Sequence, residues 1–156
     1  MTNIERHSYD VVVIGAGGAG LRAAIEARLA GKKTAIISKS LFGKAHTVMA
    51  EGGAAAAMGN VNSKDNAQVH FRDTMRGGKF LNNFRMAELH AQESPARIWE
   101  LETYGALFDR TPDGKLAQSL ETAHSRPRVV RVSGDLPGKA IMDALIVAAR
   151  AAPHID

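Results

Sequence analysis

The sequence predicts an α/β fold in which a Rossmann-like β-α-β unit is followed by a mainly helical region. Three observations carry this expectation. Val11 to Ile14 are four consecutive large apolar residues, the pattern of a strand buried on both faces. They run without a polar break into Gly15-Ala16-Gly17-Gly18-Ala19-Gly20, and Leu21 to Leu29 then has helical periodicity. Thr34 to Ser38, TAIIS, supplies a second strand at the distance such a unit requires.

Residues 1–8 are polar and read as a disordered N-terminus, leaving 9–156 as one domain. In the G-x-G-x-x-G stretch each glycine has its own task. Gly15 makes the turn, Gly17 lets backbone approach a pyrophosphate, and Gly20 allows helix and strand to pack closely. Amide groups at the helix start can hold the anion, so strand, loop and helix together point to a dinucleotide. On the helix, Leu21, Ala24, Ile25 and Leu29 form the apolar stripe, Arg22, Glu26 and Arg28 the wet side, and Gly31 the end.

A NAD-binding domain places an acidic residue about 20 residues after the loop to bind ribose. This chain has Ser38-Lys39-Ser40 instead. The lysine suits the 2′-phosphate of NADP, whereas the short hydroxyls suit the adenosine ribose of FAD. The glycine loop alone leaves both open.

Residues 41–60 have no ordinary periodicity. Gly52-Gly53 and the four alanines after them let backbone come close to something flat. Equally, Ala54 to Met58 reads as a small-residue helix, with His46 an exposed loop histidine. Asp65 to Arg76 and Phe84 to Glu93 read as amphipathic helices, the first with Val69, Phe71 and Met75 as apolar positions. Pro95 is expected to open a third helix that turns Ile98, Trp99 and Leu101 inward and ends before Gly105. His70 and His90 have no second ligand type at helical spacing and read as ordinary partly buried histidines. Glu88, Glu93, Glu100 and Glu102 read as surface charges. Thr111-Pro112-Asp113-Gly114 is a turn, Gln118 to Ser133 loop with short extended pieces, and Lys139 to Ala151 a final helix with Ile141, Leu145 and Ala148 inside.

Among the 156 residues, 45% are hydrophobic and 23% charged, which fits an ordinary globular protein. There is no cysteine, so cysteine-ligated zinc and iron–sulfur sites are excluded within this sequence. The formal charge is +4, with only Arg126, Arg128 and Arg131 approaching a cluster. That trio reads as a solvated face, and no nucleic-acid partner is expected. No apolar run reaches the ~20 residues of a membrane span. No convincing leader cleavage site follows residues 11–21 either, and the expected location is cytoplasmic.

Several separate stretches share one order with a known family. They are YDVVVIGAGGAGLRAA, ISKS, KAHTVMAEGGAAAAMGN, DTMRGGKFLNN, MAELHAQESP and WELETYGALFDRTPDGK. Over residues 9–118 the chain resembles the opening, FAD-binding part of the flavoprotein subunit of succinate dehydrogenase and fumarate reductase, relatives of L-aspartate oxidase. The resemblance implies FAD, with its pyrophosphate on Gly15, Ala16, Gly17, Gly18, Ala19 and Gly20 and its adenosine ribose near Ser38 and Lys39. It places the isoalloxazine against Ser40 to Gly53, including Glu51, Gly52 and Gly53. In the family the histidine matching His46, in Ala45-His46-Thr47, is bonded covalently to the flavin 8α carbon, so a complete subunit would carry covalent FAD through His46. L-aspartate oxidase generally lacks that histidine.

The resemblance further implies oxidation of succinate to fumarate, or the reverse, with electrons leaving through an iron–sulfur subunit to quinone at membrane anchor subunits. A complex of that kind would lie peripheral to the cytoplasmic membrane. The family's dicarboxylate-binding and proton-transfer residues lie beyond position 156, so the fold is incomplete relative to the family and no catalytic residue is assigned. From 119 the chain diverges. It reads SLETAHSRPRVVRVSGDLPGK, keeping His124, Gly134-Asp135 and Gly138 but placing Thr122 and Ala123 where the family has two glycines. At φ > 0 those two residues would carry strain. Leu136-Pro137 replaces the family's Arg-Thr. Two other readings stand beside this one: a nucleotide-binding module without catalysis, and an NADP-dependent reductase suggested by Lys39.

Overall fold

The computed structural model describes residues 4–156; residues 1–3 of the expected frayed stretch lie outside the described residues. Residues 4–8 are exposed and without regular structure. β1 (Val11–Ile14), α1 (Gly18–Leu29) and β2 (Thr34–Ile37) form the expected β-α-β unit. The strands are parallel and in register from Val11 opposite Thr34 to Ile14 opposite Ile37. Gly31, at φ 77, turns the chain after α1.

The expectation that β1 is buried on both faces is corrected. Val12, Ile14 and Ile37 are 51%, 86% and 57% exposed, because this sheet has two named strands and α1 covers one face of it. The chain end lies alongside β2, where Thr34 N–H donates to the His154 carbonyl at 3.0 Å and Ile36 N–H to Asp156 at 2.8 Å. On α1, Leu21, Ala24 and Ile25 are buried as expected, but Leu29, at the open end of the helix, is exposed.

The remainder is less helical than expected. Ala54 to Met58 is not a helix: β3 (Ala54–Ala55) and β4 (Gln118–Ser119) flank β5 (Val129–Val130) in an antiparallel three-stranded sheet. Arg128 explains the switch, since its carbonyl accepts the Ala56 N–H at 2.9 Å and continues the pairing. β4 and β5 fall inside the stretch read as loop and extended pieces.

α2 (Ala67–Gly77) begins one residue after Asn66, whose side chain caps the Val69 N–H at 3.1 Å. Its buried residues are His70 and Asp73, while Val69, Phe71 and Met75 are only half-buried. α3 (Phe84–Thr103) is one helix of 20 residues, with Pro95 in its interior rather than at its start. Proline removes a backbone hydrogen bond there. The buried stripe of Ala87, Ala91, Ser94 and Ile98 nevertheless continues through it, so packing against the core holds the helix together. Trp99 is also corrected: it is 46% exposed and lies against the Arg110 guanidinium. Glu100 is partly buried in a paired contact with Arg22, both bonds 2.8 Å, which ties α3 to α1.

α4 (Pro137–Ala151) starts two residues earlier than expected, with proline in its first turn. It lies between two cores. Ala144 belongs to a cluster with Ala56, Ile98, Phe108, Leu116 and Val130, and Met142, Leu145 and Ala149 belong to one with Leu21 and Ile25. Ile141 packs against both clusters and, like Ala148, is half-buried.

The solvated reading of the basic trio fails at Arg128, which is fully buried. Its guanidinium pairs with Asp65 at 2.8 Å and with Asp73 at 2.9 Å. A buried cation is tolerated only when paired and hydrogen-bonded in this way. Of Thr122 and Ala123, only Ala123 is left-handed, at φ 68.

Candidate functional site

β1 is followed by Gly15, whose N–H donates to the Ile37 carbonyl at 2.8 Å and whose φ of 111 makes the turn. A Cβ on Gly20 would overlap the Gly15 carbonyl oxygen, so α1 can lie this close to the strand only with glycine there. Gly17 differs from both. It is extended, at φ −83 and ψ −179, and a Cβ would meet only Ala45 and Thr47 at 3.4 Å. Neither backbone conformation nor internal overlap accounts for glycine at 17, which leaves its open side to an approaching molecule.

Across from the loop, residues His46–Met49 form a 3₁₀ turn. Thr47 Oγ1 accepts the Gly18 N–H at 3.2 Å, and the Ala50 carbonyl accepts the Gly138 N–H at 2.9 Å. The turn is therefore held between the starts of α1 and α4. Ser40 shapes the approach to it, with its hydroxyl donating to the Lys44 carbonyl at 3.0 Å.

These segments enclose a cavity of about 700 Å³. Ile14 to Gly17 form one wall, Ile37 to Ser40 a second, and Gly43 to His46 with Val48 and Met49 the third. Among the described residues, Lys39 and Lys44 are its cationic side chains and no carboxylate lines it, so its charge suits an anion.

Of the residues expected at the site, Gly15, Ala16, Gly17, Ser38, Lys39, Ser40, Ala45 and His46 meet at this cavity, with the His46 side chain exposed. Gly18, Ala19, Gly20 and Thr47 lie outside its lining, Gly18 and Thr47 bonded to each other. Glu51 and Gly52 are exposed past the turn. Gly53, at φ 97, instead lines a separate groove with Ala54, Ala55 and Ser94. Sequence reasoning gives Lys44 and Gly138 no part in the site. Lys44 opens the KAHTVM stretch of the resemblance, and Gly138 is among the residues kept from the family pattern, but the contact of Gly138 with Thr47 and Ala50, remote in the chain, has no local signal.

A second polar cluster surrounds Arg128. His70 is 5.0 Å from His90 and 5.9 Å from His124 between ring centres. Burial, then the nearby Arg128 charge, lowers the His70 pKa to about 4. Burial lowers His124 as well, again with Arg128 beside it. Among the described residues no group of His, Asp and Glu is arranged to hold a metal ion.

Residues 10–156 match the FAD binding domain family. The chain belongs to that family. It is 49% identical to one of the subunits of the fumarate reductase (CoM/CoB) of Methanothermobacter marburgensis over 115 residues, which is 73% of this chain and 21% of that protein. Against the succinate dehydrogenase flavoprotein subunit of Rickettsia bellii it is 39% identical over 150 residues, 92% of this chain and 25% of that one. Among solved structures, Mycobacterium smegmatis Sdh1 in complex with UQ1 aligns with a TM-score of 0.90 and 70% identity, covering 93% of this chain and 24% of that chain. The chain thus spans about a quarter of the length of these relatives. Its relatives are flavoprotein subunits of succinate dehydrogenase and fumarate reductase, and its cofactor is FAD.

Proposed function

We infer that the cavity between the glycine loop and the His46 turn holds FAD in a flavoprotein that oxidises succinate to fumarate or runs the reverse reaction. One observation carries this reading. Gly15 to Gly17 and Ala45-His46, on opposite sides of β2 in the sequence, open onto a single cavity lined by lysines and no carboxylate. The glycine at 17 that packing does not require fits close approach of a ligand.

In this reading the pyrophosphate lies along Gly15 to Gly20, where the first amides of α1 lack intrahelical partners. Ser38 and Lys39 take the ribose, and the ring system lies along Ser40 and the wall from Gly43 to Met49, with His46 as the attachment residue. An imidazole nitrogen with a free lone pair is suited to that role. Bound FAD supplies acceptance of a hydride and release of single electrons. This sequence has no cysteine, so the thiolates of any iron–sulfur relay come from elsewhere, in keeping with an iron–sulfur partner that passes electrons to quinone. No helix among the described residues is long and apolar enough to cross a membrane, which fits a peripheral position on anchor subunits.

Titrating FAD into the chain and following flavin fluorescence tests the site. Weak, noncovalent but saturable quenching is expected, because the second half of the family's FAD site lies beyond position 156, and its absence at millimolar chain sinks the reading. Covalent attachment is tested in a protein of the relatives' length, with and without His46→Ala, by flavin fluorescence on an acid-soaked denaturing gel. A band that survives the substitution places attachment elsewhere. The chain alone is expected to give no succinate oxidation with an artificial acceptor and added FAD. Turnover within tenfold of an intact enzyme, only ~1.4 kcal/mol in barrier, would place the substrate machinery inside it.

A further inference from the structure

The glycine loop leaves α1 without a cap of its own. Gly17 stands at the N-cap position and, having no side chain, makes no capping hydrogen bond. Such a position ordinarily carries a short oxygen-bearing side chain that accepts an N–H of the first turn. Here the acceptor comes from elsewhere in the chain: Thr47 Oγ1 takes the Gly18 N–H at 3.2 Å. The Thr47 methyl closes on the same residue, since a Cβ on Gly18 would stand 3.1 Å from Cγ2.

Thr47 is held from its other side as well. Its carbonyl accepts the Ala50 N–H at 3.1 Å and lies where a Cβ on Gly138 would overlap it. The half-buried Thr47 does not line the cavity, whereas the exposed His46 before it does. One hydroxyl therefore couples the start of α1 to the turn that carries His46.

We propose that Thr47 is a positioning residue that caps α1 from outside the helix and thereby holds the glycine loop and His46 in one register for a single ligand. The proposal rests on the reading that FAD occupies the cavity. Thr47 acts through Gly18 and His46 and has no contact of its own with the ligand. Its bond occupies the Gly18 amide, so an anion at the loop is left with the remaining first-turn amides.

The test is amide and imidazole NMR on the 156-residue chain, wild type beside Thr47→Val and Thr47→Ser, before and during titration with FAD. Without ligand, the Gly18 amide should exchange about tenfold faster in Thr47→Val than in wild type or Thr47→Ser, the scale of one lost hydrogen bond. With FAD, the Gly17 amide and the His46 ring should respond with a common midpoint in wild type and Thr47→Ser. In Thr47→Val the Gly17 response should persist at a midpoint about tenfold higher, with the His46 response lost. A loss confined to general stability would weaken both responses together and would overturn the proposal. Retention of both responses in Thr47→Val, or failure of Thr47→Ser to restore them, does the same. Absence of any wild-type response to FAD overturns the reading of the cavity itself, and the ligand proposed here with it. If Thr47→Val does not fold, the wild-type Gly18 amide decides the cap. Exchange as fast as that of the Ala19 amide overturns it, and slower exchange supports it.

Discussion

The Gly138 amide donates to the Ala50 carbonyl at 2.9 Å, joining the first turn of α4 to the end of the 3₁₀ turn that carries His46. Gly138 is buried, and the space its missing side chain leaves is filled by the backbone of Thr47 and Ala50. A segment from the last quarter of the chain is thus in direct contact with the candidate site.

Gly138→Ala tests how much that contact matters. Its Cβ would overlap the Thr47 carbonyl oxygen and stand 2.7 Å from the Ala50 carbonyl oxygen and 2.8 Å from its nitrogen. Backbone cannot swing aside as a flexible side chain can, so the variant should lose ~1–3 kcal/mol of stability and bind FAD more weakly. Urea unfolding and FAD titration are the measurements. Unchanged values for both would mean that α4 is free to shift.

Arg128→Met should cost more. It leaves Asp65 and Asp73, both buried, without the guanidinium that pairs them, and breaking a buried pair in this way costs ~3–5 kcal/mol. The expected result is a lower urea midpoint at unchanged slope. A deficit under ~1 kcal/mol would show that the carboxylates find water or protons cheaply.

Local signals explain what could be read in advance. Val11 to Leu29 announces strand, turn and helix in one continuous stretch, and each forms there, the helix beginning at Gly18 rather than Leu21. Arg128 gives no such signal, because its partners lie on α2 and in the segment before it, and a lone arginine in a basic stretch resembles surface. Pro95 misleads for a related reason. Proline marks helix starts locally, but the buried stripe from Ala87 to Ile98 decides the matter through tertiary packing. At the site, the loop and the Ser38-Lys39-Ser40 end of β2 were legible from the strand pattern, and His46 from family resemblance. The support from Thr47 and Gly138 needed coordinates.

Acid should destabilise the fold before the carboxylates titrate. His70 titrates near 4 in the folded chain and near 6.5 when unfolded, so between those values the unfolded chain binds the extra proton. Stability therefore falls as pH drops through 6.5 toward 4, by on the order of 2 kcal/mol. Burial, Arg128, His90 and His124 all oppose the charge on His70, and Asp73 alone favours it. Asp73 adds a later loss: burial raises its pKa, but bonds from Ser125 and Arg128 outweigh this and hold it low, so its contribution disappears below its ordinary value. His70→Asn should flatten the slope of unfolding free energy between pH 6.5 and 4. An unaltered slope would assign the titration to another group, with His124 the first candidate.

Thr122 and Ala123 should respond in opposite directions to glycine. Ala123 sits at φ 68, a left-handed conformation that costs a residue with a Cβ ~1–2 kcal/mol, while Thr122 is outside that region. Both are exposed, so neither substitution opens a core cavity. Ala123→Gly removes the strain and adds freedom to the unfolded chain, and the first effect exceeds the second at such a site, for a net gain of ~0.5–1 kcal/mol. Thr122→Gly adds only the freedom and should lose ~0.5–1 kcal/mol. The comparison is internal, since the two residues are adjacent and share their surroundings. The Ala123 side chain faces the end of α2, where a Cβ on Gly77 would stand 3.1 Å from that of Ala123. Urea unfolding of both variants measures the signs. If Ala123→Gly is destabilising to the same degree as Thr122→Gly, the left-handed turn at Ala123 carries no strain.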